Sequence, residues 1–292
     1  IGDPVDMLVP ENATLEQIES ARARLGLDKP LPVQYGIFIR DVLHGNFGKS
    51  YTYGKPAMDL IFERMPATLE LVAVAACLVL CIAIPLGVYA GAYPKRASSK
   101  LIMSGSILGI SLPSFWVGMM MIYIFAVVLR LLPASGRGNT VMVGNVALSI
   151  FAPGGIRYVI LPAITLALTN VATMLRLTRS GILENMRQDY IKFARAKGVP
   201  AKSILFGHAL KNALIPVVTI FGMDLGNMIA FTTITETIFA WPGMGKLLID
   251  AINKSDRPII VAYLMAAACM FVVLNFIVDI LYTLIDPRIE LR

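Results

Sequence analysis

Residues 71–94, LVAVAACLVLCIAIPLGVYAGAYP, form a run of 24 positions without a charged side chain. The hydrocarbon core of a bilayer is about 30 Å thick, and roughly 20 apolar helical residues cross it. Two further runs share this property, since residues 101–129 and 259–278 carry no charge over 29 and 20 positions. Only 15% of the chain is charged, against about 25% in soluble proteins. This distribution indicates a polytopic membrane protein.

Two shorter apolar runs complete the set. Residues 158–175 are bounded by basic side chains, and residues 212–235 are interrupted only by Asp224. We therefore predict an all-α fold with a transmembrane domain over residues 66–285. Its five predicted spans lie at about 66–92, 101–132, 157–183, 210–235 and 258–284.

The placement of the basic residues predicts the orientation. The segments 93–100, 176–211 and 284–292 carry thirteen Lys or Arg in 53 residues, whereas 130–158 and 236–258 carry six in 52. The positive-inside rule places the first set, and the tail 286–292, in the cytoplasm. The net charge of +7 is then explained by membrane topology and contact with membrane lipid, and no nucleic-acid partner is expected.

Residues 1–65 are polar and are expected outside the cytoplasm, with short helices. Thr14 and Gln17 have the spacing of a capping box, and a second helical stretch follows Pro32 and ends near Gly45. The sequence starts at Ile1 without a signal segment, although this topology places residue 1 outside. We therefore expect a first transmembrane helix that the sequence does not contain.

The chain offers little for catalysis. Residues 45–50, GNFGKS, end like a phosphate-binding loop, but Leu43 stands where that loop requires its first glycine. His44 and His208 fall on opposite sides of the predicted membrane, so they cannot share a metal ion. We predict a non-enzymatic chain without a metal site.

Asp224 is the most unusual residue of the spans. An acidic side chain at mid-bilayer costs roughly 2.5–3.5 kcal/mol on insertion scales. Its neighbours Gly222 and Gly226 would let another helix approach closely. We predict that Asp224 and Asn227 line a translocation path or a helix interface. Two other interpretations stay open at this point, namely ordinary helix-packing polarity and an intramembrane aspartyl pair with Asp279.

The loop 189–209 is the most informative stretch. Residues 189–200 read DYIKFARAKGVP, and Gly198 is expected to end a short helix. One face of that helix carries Tyr190, Phe193, Ala194 and Lys197. A short amphipathic helix with basic flanks is either a membrane-surface element or a partner-docking element, and periodicity does not separate the two.

This loop resembles the "EAA" loop of permease subunits in the peptide and nickel branch of ATP-binding-cassette importers. The general form is E-A-A-x3-G-x9-I-x-L-P, which Ala194, Gly198 and Leu210 match. Lys192 and Phe193 replace its first two residues, and His208 and Lys211 replace its Ile and Pro. The branch's own version, ARAKG followed by HAL[RK]NALIP, is similar to residues 194–198 and 208–216. Three more stretches look like the same family: 45–48 with 66–71, 236–245, and 279–282 with 286–288.

The resemblance implies a type I importer permease in a bacterial inner membrane, with a cytoplasmic C-terminus. Its implied partners are a second homologous permease, two cytoplasmic ATPases that bind ATP and Mg²⁺, and an extracytoplasmic substrate-binding protein. The chain itself would bind no cofactor. The ATPase-coupling residues implied by the match are Tyr190, Phe193, Ala194, Arg195, Ala196, Lys197, Gly198, His208 and Leu210. Trp241, Pro242 and Gly243 would form an outer gate or a docking site for the binding protein, or else a simple turn.

The substrate implied by the resemblance is peptide-like, driven across by ATP hydrolysis in separate subunits. The same architecture also imports nickel chelates, glutathione and saccharides. From other classes, a secondary transporter or channel and an intramembrane hydrolase are the rivals. A secondary transporter is expected to show internal repeats, and the sequence shows none.

Overall fold

The computed structural model describes residues 14–24 and 26–285, together with Val5 and Val9. The predictions for the first residues and for the tail 286–292 lie outside this part. The described helices are α1 (Leu15–Arg24), α2 (Leu31–Leu43), α3 (Ala57–Ala92), α4 (Ala97–Ser111), α5 (Ser114–Met121), α6 (Ile156–Asn185), α7 (Asp189–Ala196), α8 (Ala201–Ser203), α9 (Leu210–Ile238), α10 (Met244–Asn253) and α11 (Arg257–Ile285). A π-helical segment, Ile122–Val128, extends α5, and another, Ile204–Ala209, joins α8 to α9.

A small hairpin is the exception to the predicted all-helical fold. Strands β1 (Val141–Val143) and β2 (Val146–Leu148) pair antiparallel, with Met142 opposite Ala147. The short helices before the spans form where they are expected. The backbone N–H of Thr14 donates to Gln17 Oε1 at 3.1 Å, and that of Gln17 donates to Thr14 Oγ1 at 3.4 Å. The predicted capping box is thereby confirmed.

Four helical stretches of the described chain are long and apolar enough to cross a membrane. These are Ala57–Ala92, Ile156–Asn185, Ala201–Ile238 and Arg257–Val278. The pair formed by α4 and α5 with its π-helical extension passes the same test together, but it is bent by 105°. The span predicted over 101–132 is therefore a bent pair of helices. Pro113 has no N–H for the helix ladder, and Leu112 before it is extended with ψ 130°.

Two spans begin earlier than predicted, because apolar residues ahead of them are buried. The first turns of α3 pack through Ala57, Leu60 and Ile61 against α10 and α11. The stretch from residue 201 is helical because Ile204 and Ala209 pack against the ends of α3 and α6. The loop 189–209 is thus mostly helical and runs directly into α9.

The core of the bundle lies between α3, α6 and α9. Leu71, Met174 and Met228 are buried in it. The axes of α3 and α6 come close at Gly87 and Gly91, where a Cβ atom would lie 2.6 Å from Thr178 and 2.7 Å from Ile182. Small residues at a helix contact allow such close packing in a membrane. This core sets α6 and α9 side by side.

Candidate functional site

A cavity of about 330 Å³ lies between α5, α6 and α9. Three apolar residues, Leu166, Met228 and Phe231, complete a lining that is otherwise polar. The polar residues of the wall are Ser114 of α5, Thr165, Thr169, Asn170 and Thr173 of α6, and Asp224, Asn227 and Thr235 of α9. The two predicted path residues of α9 are thus brought together with a polar stripe of α6 that the sequence analysis missed.

Helix α9 packs against α11 with one face and lines the cavity with the opposite face. Gly222 and Gly226 face α11, where a Cβ atom on Gly222 would overlap the Val278 side chain and one on Gly226 would lie 2.7 Å from the Phe271 ring. The close approach predicted for these glycines is confirmed. Asp224 is two residues from each of them, which is about 200° around the helix, so its side chain lines the cavity on the opposite side.

Asp224 is the one charged side chain among the described residues that line this cavity. It is half-buried, and the side-chain amide of Asn227 lies beside its carboxylate. The aspartyl pair with Asp279 stays a hypothesis, because the side chain of Asp279 lies outside the described part of the chain. The cavity therefore combines one carboxylate with neutral hydroxyl and amide groups.

The second candidate site is α7, a short helix between the spans formed by α6 and α9. Its Ile191 is fully buried with Ile182 and Ile204 in an apolar cluster at the end of the bundle, and Ala194 packs against the same cluster. On the other side, the Phe193 side chain is 63% exposed, with the ammonium of Lys197 4.6 Å from its ring centroid. The helix is thus anchored by one face and presents the other.

Tyr190 ties α7 to both neighbouring spans. Its hydroxyl donates to Asn185 Oδ1 of α6 at 2.8 Å and accepts from Asn212 Nδ2 of α9 at 3.0 Å. At the start of α7, a hydrogen bond from Lys192 Nζ to Asp189 at 2.8 Å lowers the pKa of that carboxyl. The Asp189 carboxylate lies in the first turn of α7, where its negative charge interacts favourably with the positive end of the helix dipole.

The remaining predicted coupling residues surround this helix. Gly198 has φ 78°, a left-handed conformation, and ends α7 as predicted. Four further residues are exposed, namely Arg195, Ala196, Lys197 and, in the π-helical turn, His208. Leu210 is half-buried at the edge of the apolar cluster. Ala194 and Leu210 therefore face the bundle more than the surface.

A buried ion pair joins α3 to the loop that contains the hairpin. Arg137 donates to Glu70 Oε2 from Nε at 2.9 Å and from Nη2 at 2.5 Å. Glu70 Oε1 accepts the backbone N–H groups of Ser149 and Ile150, each at 2.6 Å. The side chains of Glu70 and Arg137 are only 2% and 11% exposed. The sequence analysis did not single out either residue.

Two of the three residues expected at an outer gate or docking site, Trp241 and Gly243, are buried. The indole N–H of Trp241 donates to the carbonyl of Ala67 at 2.9 Å. A side chain on Gly243 would overlap the carboxylate of Glu236, which accepts the Thr68 hydroxyl at 2.7 Å. Pro242 is half-buried and lines a shallow cleft. The segment therefore closes one end of the bundle against α3.

Several apolar spans surround this cavity, and an exposed amphipathic helix lies between two of them. The chain belongs to the family of binding-protein-dependent transport system inner membrane components, whose model matches residues 83–291. The model of that family's N-terminal region matches residues 2–72. The two matches together cover nearly the whole chain.

Curated relatives of similar length agree with this assignment. The probable D,D-dipeptide transport system permease protein DdpB of Escherichia coli is 38% identical over 99% of this chain and 88% of its own length. The oligopeptide transport system permease protein AppB of Bacillus subtilis is 39% identical over 99% and 90%. The di/tripeptide transport system permease protein DppB of Pseudomonas aeruginosa is 39% identical over the same shares.

Solved structures support the fold. A chain in inward facing conformations of the MetNI methionine ABC transporter superposes with a TM-score of 0.61 at 16% identity, covering 78% of this chain and 97% of that one. The predicted type I importer permease fold is thereby confirmed. The chain is a non-catalytic, multi-pass inner membrane subunit of an ATP-binding-cassette importer, and its partners include an ATPase, which binds the ATP, and a binding protein. This assignment excludes a secondary transporter, a channel and an intramembrane hydrolase.

Proposed function

We propose that the chain forms one half of the pore of a peptide importer, with α7 as the helix that couples the pore to ATP hydrolysis. The relatives at 38–39% identity are permeases of dipeptide, di/tripeptide and oligopeptide systems, which favours a peptide over a nickel chelate, glutathione or a saccharide. In the proposed assembly, a second homologous permease completes the pore. Two cytoplasmic ATPases each bind one coupling helix, and the binding protein delivers substrate from outside.

One observation carries the coupling role, namely that α7 is attached to the bundle on one face and exposes an aromatic residue on the other. Ile191 is fully buried in the bundle, whereas Phe193 is 63% exposed. Aromatic residues and arginine are enriched at protein interfaces relative to the rest of the surface. The surface of this chain that we propose to contact the ATPase consists of Tyr190, Phe193, Arg195, Ala196, Lys197 and His208. Ala194, Gly198 and Leu210 support that surface from below.

Helix α7 is also connected directly to the two spans that form most of the cavity wall. Tyr190 is hydrogen-bonded to Asn185 of α6 and to Asn212 of α9, the two spans whose polar faces form most of the cavity wall. A displacement of α7 by the ATPase would therefore change the separation of α6 and α9. Rigid-body motions of this kind can alternate the access of a membrane cavity. On this proposal, Asp224 and Asn227 line the translocation path.

The proposed topology follows from the basic residues that flank the spans. Residues 1–65 and the turn Trp241–Pro242–Gly243 lie on the outer side, where that turn is the fixed part of an outer gate. The loop 189–209 and the C-terminal tail 286–292 lie in the cytoplasm. Thirteen of the Lys and Arg residues fall in the segments assigned to the cytoplasmic side, against six in the outer loops.

The coupling role is tested by Phe193→Ala in the purified permease pair, with Phe151→Ala as the matched control. Both phenylalanines are about equally exposed, at 63% and 65%, but Phe151 lies in the loop assigned to the outer side. Truncating a central interface aromatic typically costs at least about 2 kcal/mol, which is roughly a 30-fold loss of affinity.

We expect Phe193→Ala to weaken ATPase binding by about that factor and to suppress ATP hydrolysis stimulated by the loaded binding protein. Phe151→Ala should leave the affinity for the ATPase unchanged. Equal ATPase affinity in the wild type and Phe193→Ala would contradict the proposal. An equal loss in both variants would also contradict it, because the effect would then not be specific to α7.

A further inference from the structure

Three polar side chains of α6 that line the cavity between α5, α6 and α9 donate hydrogen bonds within their own helix. The hydroxyl of Thr165 donates to the carbonyl of Leu161 at 2.9 Å, and that of Thr173 donates to the carbonyl of Thr169 at 3.2 Å. The side-chain N–H of Asn170 is also used within α6, since it donates to the carbonyl of Leu166 at 3.3 Å. One donor of each of these three side chains is therefore used within α6.

The same three side chains of α6 still offer acceptors to a ligand. A hydroxyl that donates its proton still has lone pairs, and the Asn170 carbonyl oxygen is free of that bond. Across the cavity, Asp224 adds a carboxylate, which is purely an acceptor when it is ionised. The described lining contains no Lys, Arg or His. The wall formed by this chain thus offers several acceptors and carries one negative charge.

We infer that this wall binds the primary ammonium group of a peptide in transit, with Asp224 as its counter-ion. An ammonium group has three N–H donors and no acceptor, so it can engage Asp224 together with neutral oxygens of the α6 stripe. A carboxylate group placed there would face lone pairs and a like charge. The inference rests on the proposed peptide path and adds to it the chemical group that this half of the pore recognises.

An ammonium group can come from the amino terminus or from a lysine side chain, and three probes separate the two sources. These are Ala-Ala, N-formyl-Ala-Ala, and N-formyl-Ala-Lys, in which only the side chain is charged. Uptake of each is measured in proteoliposomes containing the complete transporter and its binding protein. Because the same binding protein serves every permease variant, its own preference cancels when the ratio of two uptake rates is compared between variants.

The decisive variant is Asp224→Asn, which keeps the volume of the side chain and removes its charge. Asp224→Glu retains the charge, and Glu63→Gln removes a carboxylate that is 58% exposed and does not line the cavity. Loss of a charge-assisted hydrogen bond predicts that the rate ratio of Ala-Ala to N-formyl-Ala-Ala falls about tenfold or more in Asp224→Asn. The ratio should stay near the wild-type value in Asp224→Glu and Glu63→Gln.

If the amino terminus is the bound group, only Ala-Ala loses uptake in Asp224→Asn; if any ammonium group is bound, N-formyl-Ala-Lys loses it as well. Unchanged ratios in Asp224→Asn would overturn the inference while leaving peptide import intact. An equal loss for all three probes would overturn it too, because Asp224 would then act only in packing. If the wild-type transporter takes up none of the probes, the proposed peptide path fails, and the inference fails with it.

Discussion

Replacing Glu70 by glutamine should release the loop around residues 137–150 from α3. The carboxylate accepts four hydrogen bonds, two from Arg137 and two from the backbone N–H groups of Ser149 and Ile150. A glutamine has one acceptor oxygen, and its NH₂ group is a donor. Whichever way the amide turns, donors of Arg137 or of the backbone face another donor. Because the Glu70 side chain is 2% exposed, water does not substitute readily.

The size of the effect follows from the burial of the pair. Removing one partner of a buried ion pair typically costs about 3–5 kcal/mol. If the loop opens locally, the backbone amides of Ser149 and Ile150 should exchange with solvent roughly 100- to 4,000-fold faster. Hydrogen–deuterium exchange of the permease in nanodiscs, followed by mass spectrometry of the segment 144–152, measures this directly.

The control for this experiment lies on the same helix. Glu63 forms a pair with Lys55 at 3.7 Å, and both side chains are more than half exposed. An exposed pair contributes about 1 kcal/mol or less, so Glu63→Gln should leave the exchange of the loop unchanged. Arg137→Met should act like Glu70→Gln, because it leaves the Glu70 charge buried without its cation. Unchanged exchange of Ser149 and Ile150 in Glu70→Gln would refute the reasoning.

Two further predictions concern packing and topology. Gly222→Leu should overlap the Val278 side chain and cost about 1–3 kcal/mol, which lowers the midpoint of thermal unfolding. Gly105→Leu, where nothing lies within 4 Å, should not; an equal midpoint in both variants would contradict the close contact of α9 with α11. Cysteines introduced by Ser203→Cys and Asn139→Cys should react with an impermeant label only from the cytoplasm and only from outside, respectively. Outside labelling of the first in intact cells would refute the proposed orientation.

The spans could be predicted because the hydropathy of a segment depends on its composition alone. The bend between α4 and α5 could not be predicted in this way. Pro66, Pro85, Pro162 and Pro216 all lie inside helices, whereas Pro113 separates α4 from α5. A proline removes one hydrogen bond in either case. Whether the helix continues depends on tertiary contacts, and here the break lets α5 turn and pack against α6 and α9.

The candidate site was predictable only in part. Asp224 is conspicuous because it is a charge in an apolar span. Thr165, Thr169 and Thr173 recur every four residues and could have indicated a polar face, yet single threonines are common in membrane helices. They become a cavity wall only when α6 lies beside α9. The pairing of Glu70 with Arg137, 67 residues apart, depends on the fold of the intervening loop, so no local pattern predicts it.

The two faces of α9 make the chain intolerant of changes in length ahead of this helix. A single inserted residue turns everything that follows by about 100° relative to what precedes it. Inserted within the first turns of α9, it would carry the bare backbone of Gly222 away from Val278 and swing Asp224 out of the cavity toward neighbouring helices or lipid. The same inserted residue in the exposed loop around Asn139 would be absorbed without rotating any span. Small insertions and deletions should therefore be excluded from α9 more strictly than most substitutions are, because one inserted residue there would remove both the contact with α11 and the carboxylate of the cavity.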